Sequence, residues 1–211
     1  MIYRCSLRFA SCYVYSPIGV RDVSQRSRLL REFLKSADAY FLRRYAERVR
    51  LEAEGHPEFA EFLGPDAVLV PVPGNARTDC EKPTVTEQLA VHLVAQGLGA
   101  AGWTGLKRIR AVPKSATAAA GDRPSLDVHY ESFRVEPPAA HVSRLVLLDD
   151  VVTKGRTLLA AAMRVRESCP AVSVRGFALL RTMGQVPEVE RLVDPCVGRI
   201  RLRGGDAQRT P

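Results

Sequence analysis

Strand signals and helix signals alternate along the chain from Asp66 to Arg181, and this alternation constrains the fold more than any other feature. Short apolar runs are typical of buried strands, and apolar residues three and four positions apart are typical of amphipathic helices. We predict strands at 67–72, 106–110, 130–135, 145–148 and 172–180, with helices at 84–98 and 157–167. This order predicts an α/β fold with a parallel sheet flanked by helices, in which ligands bind at the carboxyl ends of the strands.

The segment before residue 66 has a different pattern. Residues 1–20 alternate apolar and aromatic side chains and predict one or two strands. Residues 21–50 combine apolar residues at helical spacing with nine basic and four acidic residues, so this basic helix either faces solvent or follows a phosphate backbone. We therefore predict an N-terminal strand and helix extension at 1–65, a core at 66–182 and a C-terminal tail at 183–211. Both terminal segments are expected to form a hood over the strand ends, with the end of the tail disordered.

Composition narrows the classes of partner. The formal net charge of +8 favours anionic partners such as nucleotides, phosphates or nucleic acid. The five cysteines include no CxxC pair, which favours reduced thiols over a zinc or redox site. No apolar stretch approaches the roughly 20 residues that span a bilayer, and no leader segment is evident. We expect a cytoplasmic protein without a membrane partner.

Two adjacent aspartates end the predicted strand in the segment LVLLDDVVTKGRT, residues 145–157. Neighbouring carboxylates repel each other, so Asp149 and Asp150 need exposure or a compensating ligand. The hydroxyls of a sugar could donate hydrogen bonds to them. The loop that follows leads into a helix, whose free N–H groups favour a phosphate. A pentose 5-phosphate would satisfy both halves of the segment.

This segment resembles the phosphoribosyl pyrophosphate (PRPP) signature of type I phosphoribosyltransferases. The resemblance implies that Asp149 and Asp150 hold the ribose hydroxyls. It also implies that the 5-phosphate is wrapped by the loop residues Thr153, Lys154, Gly155, Arg156 and Thr157. Lys154 and Arg156 stand where small residues are common, so they either add charge to the phosphate site or point outward. Thr153 replaces an aspartate of the 6-oxopurine transferases, which disfavours hypoxanthine or guanine as the acceptor. The alternative is an unrelated nucleotide-binding or receiver-like domain with paired aspartates.

Two upstream segments resemble ComF-like proteins of the same superfamily. VLVPVPGNARTDCEKPTVTEQLAVHL is similar to their strand, diphosphate loop and helix, which implies that Arg77 and the amides around Gly74 and Asn75 bind the leaving diphosphate. LKRIRAVPKSATAAAGDRPSLDVHYESFRV is similar to their mobile flap, from which Lys114 or Arg123 would reach the diphosphate. A solvated linker would have the same composition. The four-cysteine zinc module of many ComF-like proteins is absent from this sequence.

The resemblance implies an enzyme that transfers the 5-phosphoribosyl group of PRPP to a nitrogenous acceptor of unknown identity and releases diphosphate. It implies Mg²⁺ as the cofactor, bound by diphosphate and ribose oxygens rather than by an assigned set of protein ligands. The alternative is a non-catalytic PRPP sensor or a DNA-associated protein that uses the basic helix. The resemblance is also compatible with a homodimer.

Overall fold

The structure is a computed structural model that describes residues 6–78, 82–113, 123–136, 138, 142–184 and 188–211. Its helices are α1 (Asp22–Lys35), α2 (Ala39–Gly55), a 3-10 helix (Pro57–Glu61), α3 (Val85–Ala95), α4 (Leu126–Ser132) and α5 (Arg156–Ser168). Its strands are β1 (Ser6–Tyr15), β2 (Val68–Pro71), β3 (Ala101–Gly102), β4 (Leu106–Arg108), β5 (Phe133–Val135), β6 (Arg144–Val152), β7 (Ser173–Thr182), β8 (Val193–Arg203) and β9 (Asp206–Thr210).

The main sheet has seven strands in the order β3-β2-β6-β7-β1-β8-β9. The five strands from β3 to β1 pair in parallel, and β8 and β9 add two antiparallel pairings at one side. The predicted α/β class with a mostly parallel sheet flanked by helices is therefore confirmed. No helix within the described part of the chain is long and apolar enough to cross a membrane.

Strand β6 lies at the centre of the parallel part and is buried on both faces. Val146 and Leu148 belong to the hydrophobic cluster beneath α1, α2 and α3, whereas Leu145 and Leu147 belong to the cluster beneath α4 and α5. All four side chains are fully buried. A strand covered by helices on both faces has a continuous apolar run instead of an alternating pattern, which explains the sequence at this position.

The terminal segments extend the sheet, contrary to the predicted division into hood, core and hood. β1 lies between β7 and β8, with Phe9 opposite Gly176 in one pairing and opposite Gly198 in the other. The tail that we expected to end in disorder forms the hairpin β8–β9 as far as Thr210. β1 lies inside the sheet because only there do its backbone N–H and C=O groups find partners in strands on both sides.

Other local predictions differ in detail. The predicted strand at 130–135 is the short helix α4 followed by β5, because the Ser125 hydroxyl accepts from the Val128 N–H and begins a helical turn. β5 pairs with β4 in a separate two-stranded sheet. The predicted basic helix is two helices, because Ala37 has a positive φ of 55° and the Asp38 carboxylate caps α2. Residues 52–65, which join this helical segment to the predicted core, contain the end of α2 and the 3-10 helix.

Candidate functional site

The paired aspartates lie at the carboxyl edge of the parallel strands, as their position after an apolar run predicts. β6 continues through both of them to Val152, and both side chains are partly buried. The N–H of Asp150 donates to Oδ1 of Asp149 at 2.9 Å, and the N–H of Val151 donates to Oδ1 of Asp150 at 2.6 Å. These two bonds hold the carboxylates against their own backbone and leave the other oxygen of each for further contacts.

The electrostatic environments of the two aspartates differ. Asp150 forms a salt bridge with Lys35, at the end of α1. Burial and the neighbouring charge of Asp150 raise the pKa of Asp149 to about 7, although Lys35 acts in the opposite direction. Burial raises a carboxyl pKa because it penalises the charged form. Asp149 is therefore a carboxyl that can exchange a proton near neutral pH, beside a second carboxyl that is paired with a cation.

The loop after β6 turns through a glycine into helix α5. Gly155 has a φ of 86° and is the residue that precedes the first turn of α5. A Cβ at this position would lie 2.5 Å from Cδ1 and 2.8 Å from Cγ1 of Ile200, in the C-terminal hairpin. The first backbone N–H groups of a helix lack intrahelical acceptors and favour an anion. The glycine therefore brings the start of α5 close to β8 while leaving its N-terminus at the carboxyl edge.

The two cations of the loop contact the C-terminal hairpin. Nε and Nη2 of Arg156 donate to the two carboxylate oxygens of Asp206 at 2.5 and 2.7 Å, and Nη1 donates to the carbonyl of Pro124 at 3.2 Å. Nζ of Lys154 donates to Asp206 at 3.2 Å. These bonds hold the pKa of Asp206 well below its usual range, chiefly through the bond from Arg156. The sequence left open whether the Arg156 side chain adds charge to the phosphate site or points outward. Its bonds to Asp206 and Pro124 favour the outward orientation.

A second arginine of the hairpin supports the loop from its other side. Nε and Nη2 of Arg209 donate to the carbonyls of Thr153 and Thr182 at 2.7 and 2.6 Å. The hydroxyls of Thr153 and Thr182 are 2.9 Å apart and form a hydrogen bond. The exposed backbone of residues 153 and 154 is therefore fixed between β7 and β9. Thr157 is the second residue of α5 and is partly buried.

The segment after β2 lies directly beside the paired aspartates. The N–H of Val72 donates to the carbonyl of Leu148 at 2.9 Å, which places the start of the predicted diphosphate loop next to Asp149. In this loop Gly74 and Arg77 are exposed and Asn75 is partly buried, with its carbonyl accepting from the Val112 N–H. The structure therefore brings Gly74 and Asn75 to the same edge of the sheet as the aspartates.

Arg108 organises this loop from inside the protein. Its side chain is only 1% exposed, and its guanidinium donates to the carbonyls of Pro73 and Gly74 and to the hydroxyl of Ser132. It also lies 4.2 Å from the ring centroid of Phe133. Burial lowers the pKa of Arg108 to about 10. The contacts of Arg108 assign it the role of holding the loop carbonyls.

The predicted flap residues are only partly described. Lys114 lies outside the described residues. Arg123 is exposed and precedes Pro124, whose carbonyl accepts from Arg156. An open groove of about 590 Å³ lies beside the diphosphate loop, between α3 and β4, and includes Thr78, Lys82 and Lys107 in its lining. The groove lining does not include the paired aspartates.

Asp149 and Asp150 are the residues of this site that could hold Mg²⁺. In the part of the chain that the structure describes, no group of three or more His, Cys, Asp or Glu side chains could hold a metal ion. Mg²⁺ commonly takes one or two carboxylates together with phosphate oxygens and water. Asp149 and Asp150 fit an ion that is shared with a phosphorylated ligand, and they do not form a metal site by themselves.

Several residues of this site carry no local signal in the sequence. Lys35, Asp206 and Arg209 come from α1 and from the C-terminal hairpin, far from residues 149–157 in the chain. Nothing in their immediate neighbours distinguishes them from solvated surface charges. Only the insertion of β1 and the pairing of β8 with it bring them to the carboxyl edge.

Comparisons with known proteins do not establish a family. No protein-family model and no curated protein matches the chain. Among solved structures, it is similar to a hypoxanthine phosphoribosyltransferase from Staphylococcus aureus, with 10% identity over 72% of this chain and 68% of that chain and a TM-score of 0.36. It is also similar to the adenine phosphoribosyltransferase of Leishmania tarentolae, with 16% identity over 80% and 83% of the two chains and a TM-score of 0.36. At these TM-scores the similarities carry no weight in assigning either fold or function, and the function has to be inferred from the site itself.

Proposed function

We propose that this protein binds PRPP and transfers its 5-phosphoribosyl group to a nitrogen nucleophile, with release of diphosphate. The observation that carries the proposal is the arrangement at the end of β6. Two partly buried carboxylates are followed within six residues by a left-handed glycine and the N-terminus of α5. Carboxylates accept hydrogen bonds from sugar hydroxyls, and a helix N-terminus favours a phosphate.

Each part of PRPP has a group of suitable chemistry at this edge. Asp149 and Asp150 would accept hydrogen bonds from the ribose hydroxyls. The backbone N–H groups of residues 154–157 would receive the 5-phosphate, with the side chains of Thr153 and Thr157 as additional donors. The backbone N–H groups of Gly74 and Asn75, together with Arg77, would receive the diphosphate, and Arg123 and Lys114 would approach it from the flap.

The differing environments of the two aspartates suggest separate roles. Asp150, which is paired with Lys35, would orient one ribose hydroxyl. Asp149 has a raised pKa, so it gains or loses a proton as the charge beside it changes. As the anomeric bond breaks, positive charge develops on the sugar, and an ionised Asp149 stabilises that charge. Thr153 donates to or accepts from Thr182 and is not a base for the acceptor.

A bound Mg²⁺ would neutralise diphosphate oxygens and so favour departure of the leaving group. Asp149 and Asp150 are the residues that would hold it, either directly or through water. The net positive charge of the whole chain would in addition attract an anionic substrate.

Binding of PRPP is tested by isothermal titration in the presence of Mg²⁺. We expect heat on titration of the wild-type protein and a loss of affinity of roughly tenfold to a hundredfold in Asp149→Asn or Asp150→Asn, because each removes a charge-assisted hydrogen bond. Asp22→Asn is the matched control, since Asp22 is an exposed carboxylate of α1 that forms an ion pair with Arg26. Absence of heat for the wild-type protein, or equal losses in all three variants, would count against the proposal.

A non-catalytic PRPP sensor is the second candidate, and two contacts favour it. The Asp150 carboxylate is paired with Lys35, and all three donor nitrogens of Arg156 are used within the protein. Diphosphate release from PRPP, measured with purines, pyrimidines and small amines as acceptors, distinguishes the candidates. Release with any acceptor supports the transferase. PRPP binding without release across the whole panel supports the sensor.

A further inference from the structure

Five arginines share one face of the sheet. This arginine face consists of Arg8, Arg175, Arg199, Arg201 and Arg203. Arg8 and Arg175 lie in the first halves of β1 and β7, toward the amino edge, whereas the paired aspartates lie at the carboxyl edge. The remaining three alternate along β8, so their side chains point to the same side.

The pairing register places like charges opposite each other. Arg8 of β1 is the direct partner of Arg199 of β8, and both Arg8 and Arg175 contact the same Oε2 of Glu61, at 2.5 and 3.8 Å. Residues directly opposite in an antiparallel pair have Cβ atoms about 5 Å apart, and like charges at this distance are destabilising. Repulsion between these arginines therefore lowers the stability of the sheet unless an anion binds against them.

Few carboxylates compensate this face. Glu61 forms salt bridges with Arg8 and Arg175. Within the described ranges no salt bridge is formed by the three arginines of β8, which are Arg199, Arg201 and Arg203. Asp206 is opposite Arg203 in the hairpin, but its two oxygens bind Arg156 and Lys154. The other residues of β9 on this side are Gln208 and Thr210, which are exposed and neutral. The face therefore has a net positive charge and many hydrogen-bond donors.

In the basic helix predicted from the sequence, by contrast, neighbouring carboxylates compensate the charge of the arginines. Arg43 and Arg44 lie 3.5 and 2.8 Å from the carboxylate oxygens of Glu47, and Arg48 lies 2.6 Å from Glu52. The positive charge of α2 is thus largely compensated along the helix. On the arginine face, the three arginines of β8 form no salt bridge within the described ranges.

We infer that the arginine face binds the phosphate backbone of duplex DNA, with the hairpin β8–β9 as the element that enters or follows a groove. The major groove of DNA admits a two-stranded β-ribbon, and successive arginines on one side of β8 are about 7 Å apart. Single-stranded nucleic acid is disfavoured because its binding sites use exposed aromatic side chains, and the aromatic ring next to Arg8 belongs to Phe62, which is fully buried. Duplex RNA is disfavoured because its deep, narrow major groove does not admit such a ribbon. This inference does not depend on PRPP binding.

The test compares two variants that remove the same charge. Arg201→Gln/Arg203→Gln removes two exposed cations of the arginine face, and Arg43→Gln/Arg44→Gln removes two exposed cations of α2. Binding of a short fluorescein-labelled DNA duplex is measured by fluorescence anisotropy over a range of salt concentrations. We expect the first variant to bind about tenfold more weakly and to reduce the slope of log K against log salt by roughly 2, because about 0.9 is lost per phosphate contact. The second variant should stay within about twofold of the wild type.

Four outcomes would overturn the inference. They are equal losses in the two variants, no duplex binding by the wild-type protein at low salt, tighter binding of a single strand than of the duplex, and equally tight binding of a fluorescein-labelled polyglutamate peptide. Thermal unfolding of each variant separates a loss of contact from a loss of fold. If Arg201→Gln/Arg203→Gln unfolds at a lower temperature, Arg201→Lys/Arg203→Lys keeps both charges and should restore at least half of the salt slope, and its failure to do so would also refute the inference.

Discussion

Substitution of Gly155 by alanine tests whether this glycine determines the geometry of the phosphate loop. The φ of 86° is costly for a residue with a Cβ, at about 1–2 kcal/mol. The added Cβ would also lie within 3.0 Å of three atoms of the fully buried Ile200, including both of its γ carbons. Overpacking of this kind costs about 1–3 kcal/mol. We therefore expect Gly155→Ala to lower the free energy of unfolding by about 2–5 kcal/mol.

Urea unfolding followed by circular dichroism measures this difference, with Gly55→Ala as the control. Gly55 ends α2 without a positive φ and with no atom within 4 Å of an added Cβ, so alanine should not destabilise the protein there and should raise its stability by about 0.4–1 kcal/mol. The double variant Gly155→Ala/Ile200→Ala separates the two costs, because the smaller side chain removes the overlap and leaves the backbone strain. We expect a favourable coupling of about 1–3 kcal/mol between the two substitutions.

Two results would refute this reasoning. A loss below about 1 kcal/mol in Gly155→Ala would show that neither cost operates. Additivity of the two substitutions within about 0.5 kcal/mol would show that Ile200 is not the cause of the packing cost. If the loop also binds a phosphate, the affinity of Gly155→Ala for PRPP should fall, whereas that of Gly55→Ala should not change.

Three further predictions concern charged groups of the site. Arg108→Met should lower the free energy of unfolding by about 2–4 kcal/mol in urea titrations, because it leaves loop carbonyls without donors, including that of the buried Pro73. A loss below about 1 kcal/mol would contradict this role. The raised pKa of Asp149 predicts that this group reduces stability as pH rises from about 4 to about 7, since the folded state binds the proton more tightly. Unfolding measured across this range should therefore show a weaker decline in Asp149→Asn, and an unchanged profile would contradict the assignment. The lowered pKa of Asp206 has the opposite effect on stability, because its bonds to Arg156 contribute stability that is present above about pH 4 and is lost on further acidification. Asp206→Asn should remove that acid-dependent loss in thermal scans at pH 3 to 6. The same dependence of unfolding temperature on pH in variant and wild type would argue against this role.

The central part of the fold follows from local sequence patterns. The apolar run at 145–148 predicts a strand buried on both faces, and the structure places it in the middle of the parallel strands. The pattern at 157–167 predicts α5, which begins one residue earlier and ends one residue later. Patterns of this length succeed because burial and hydrogen bonding of one element impose the same periodicity on its own residues.

Predictions failed where long-range pairing decides the structure. The alternation in residues 6–15 is compatible with a strand at any position, and only its pairing with β7 and β8 places β1 inside the sheet. The tail lacks strong apolar runs because its residues alternate between a buried side, including Ile200 and Ala207, and an exposed arginine side. A half-buried edge hairpin therefore resembles a polar tail in composition.

The sequence by itself determined that two carboxylates follow a buried strand and that a glycine precedes the next helix. Both depend on the order of neighbouring residues, because a strand buried on both faces has to be apolar and a left-handed turn before a helix favours glycine. Tertiary structure alone decided that Lys35 pairs with Asp150, that Asp206 binds the loop cations and that Arg8 lies opposite Arg199. These contacts join residues that are distant in the chain, and a charged side chain has no local pattern that identifies its partner.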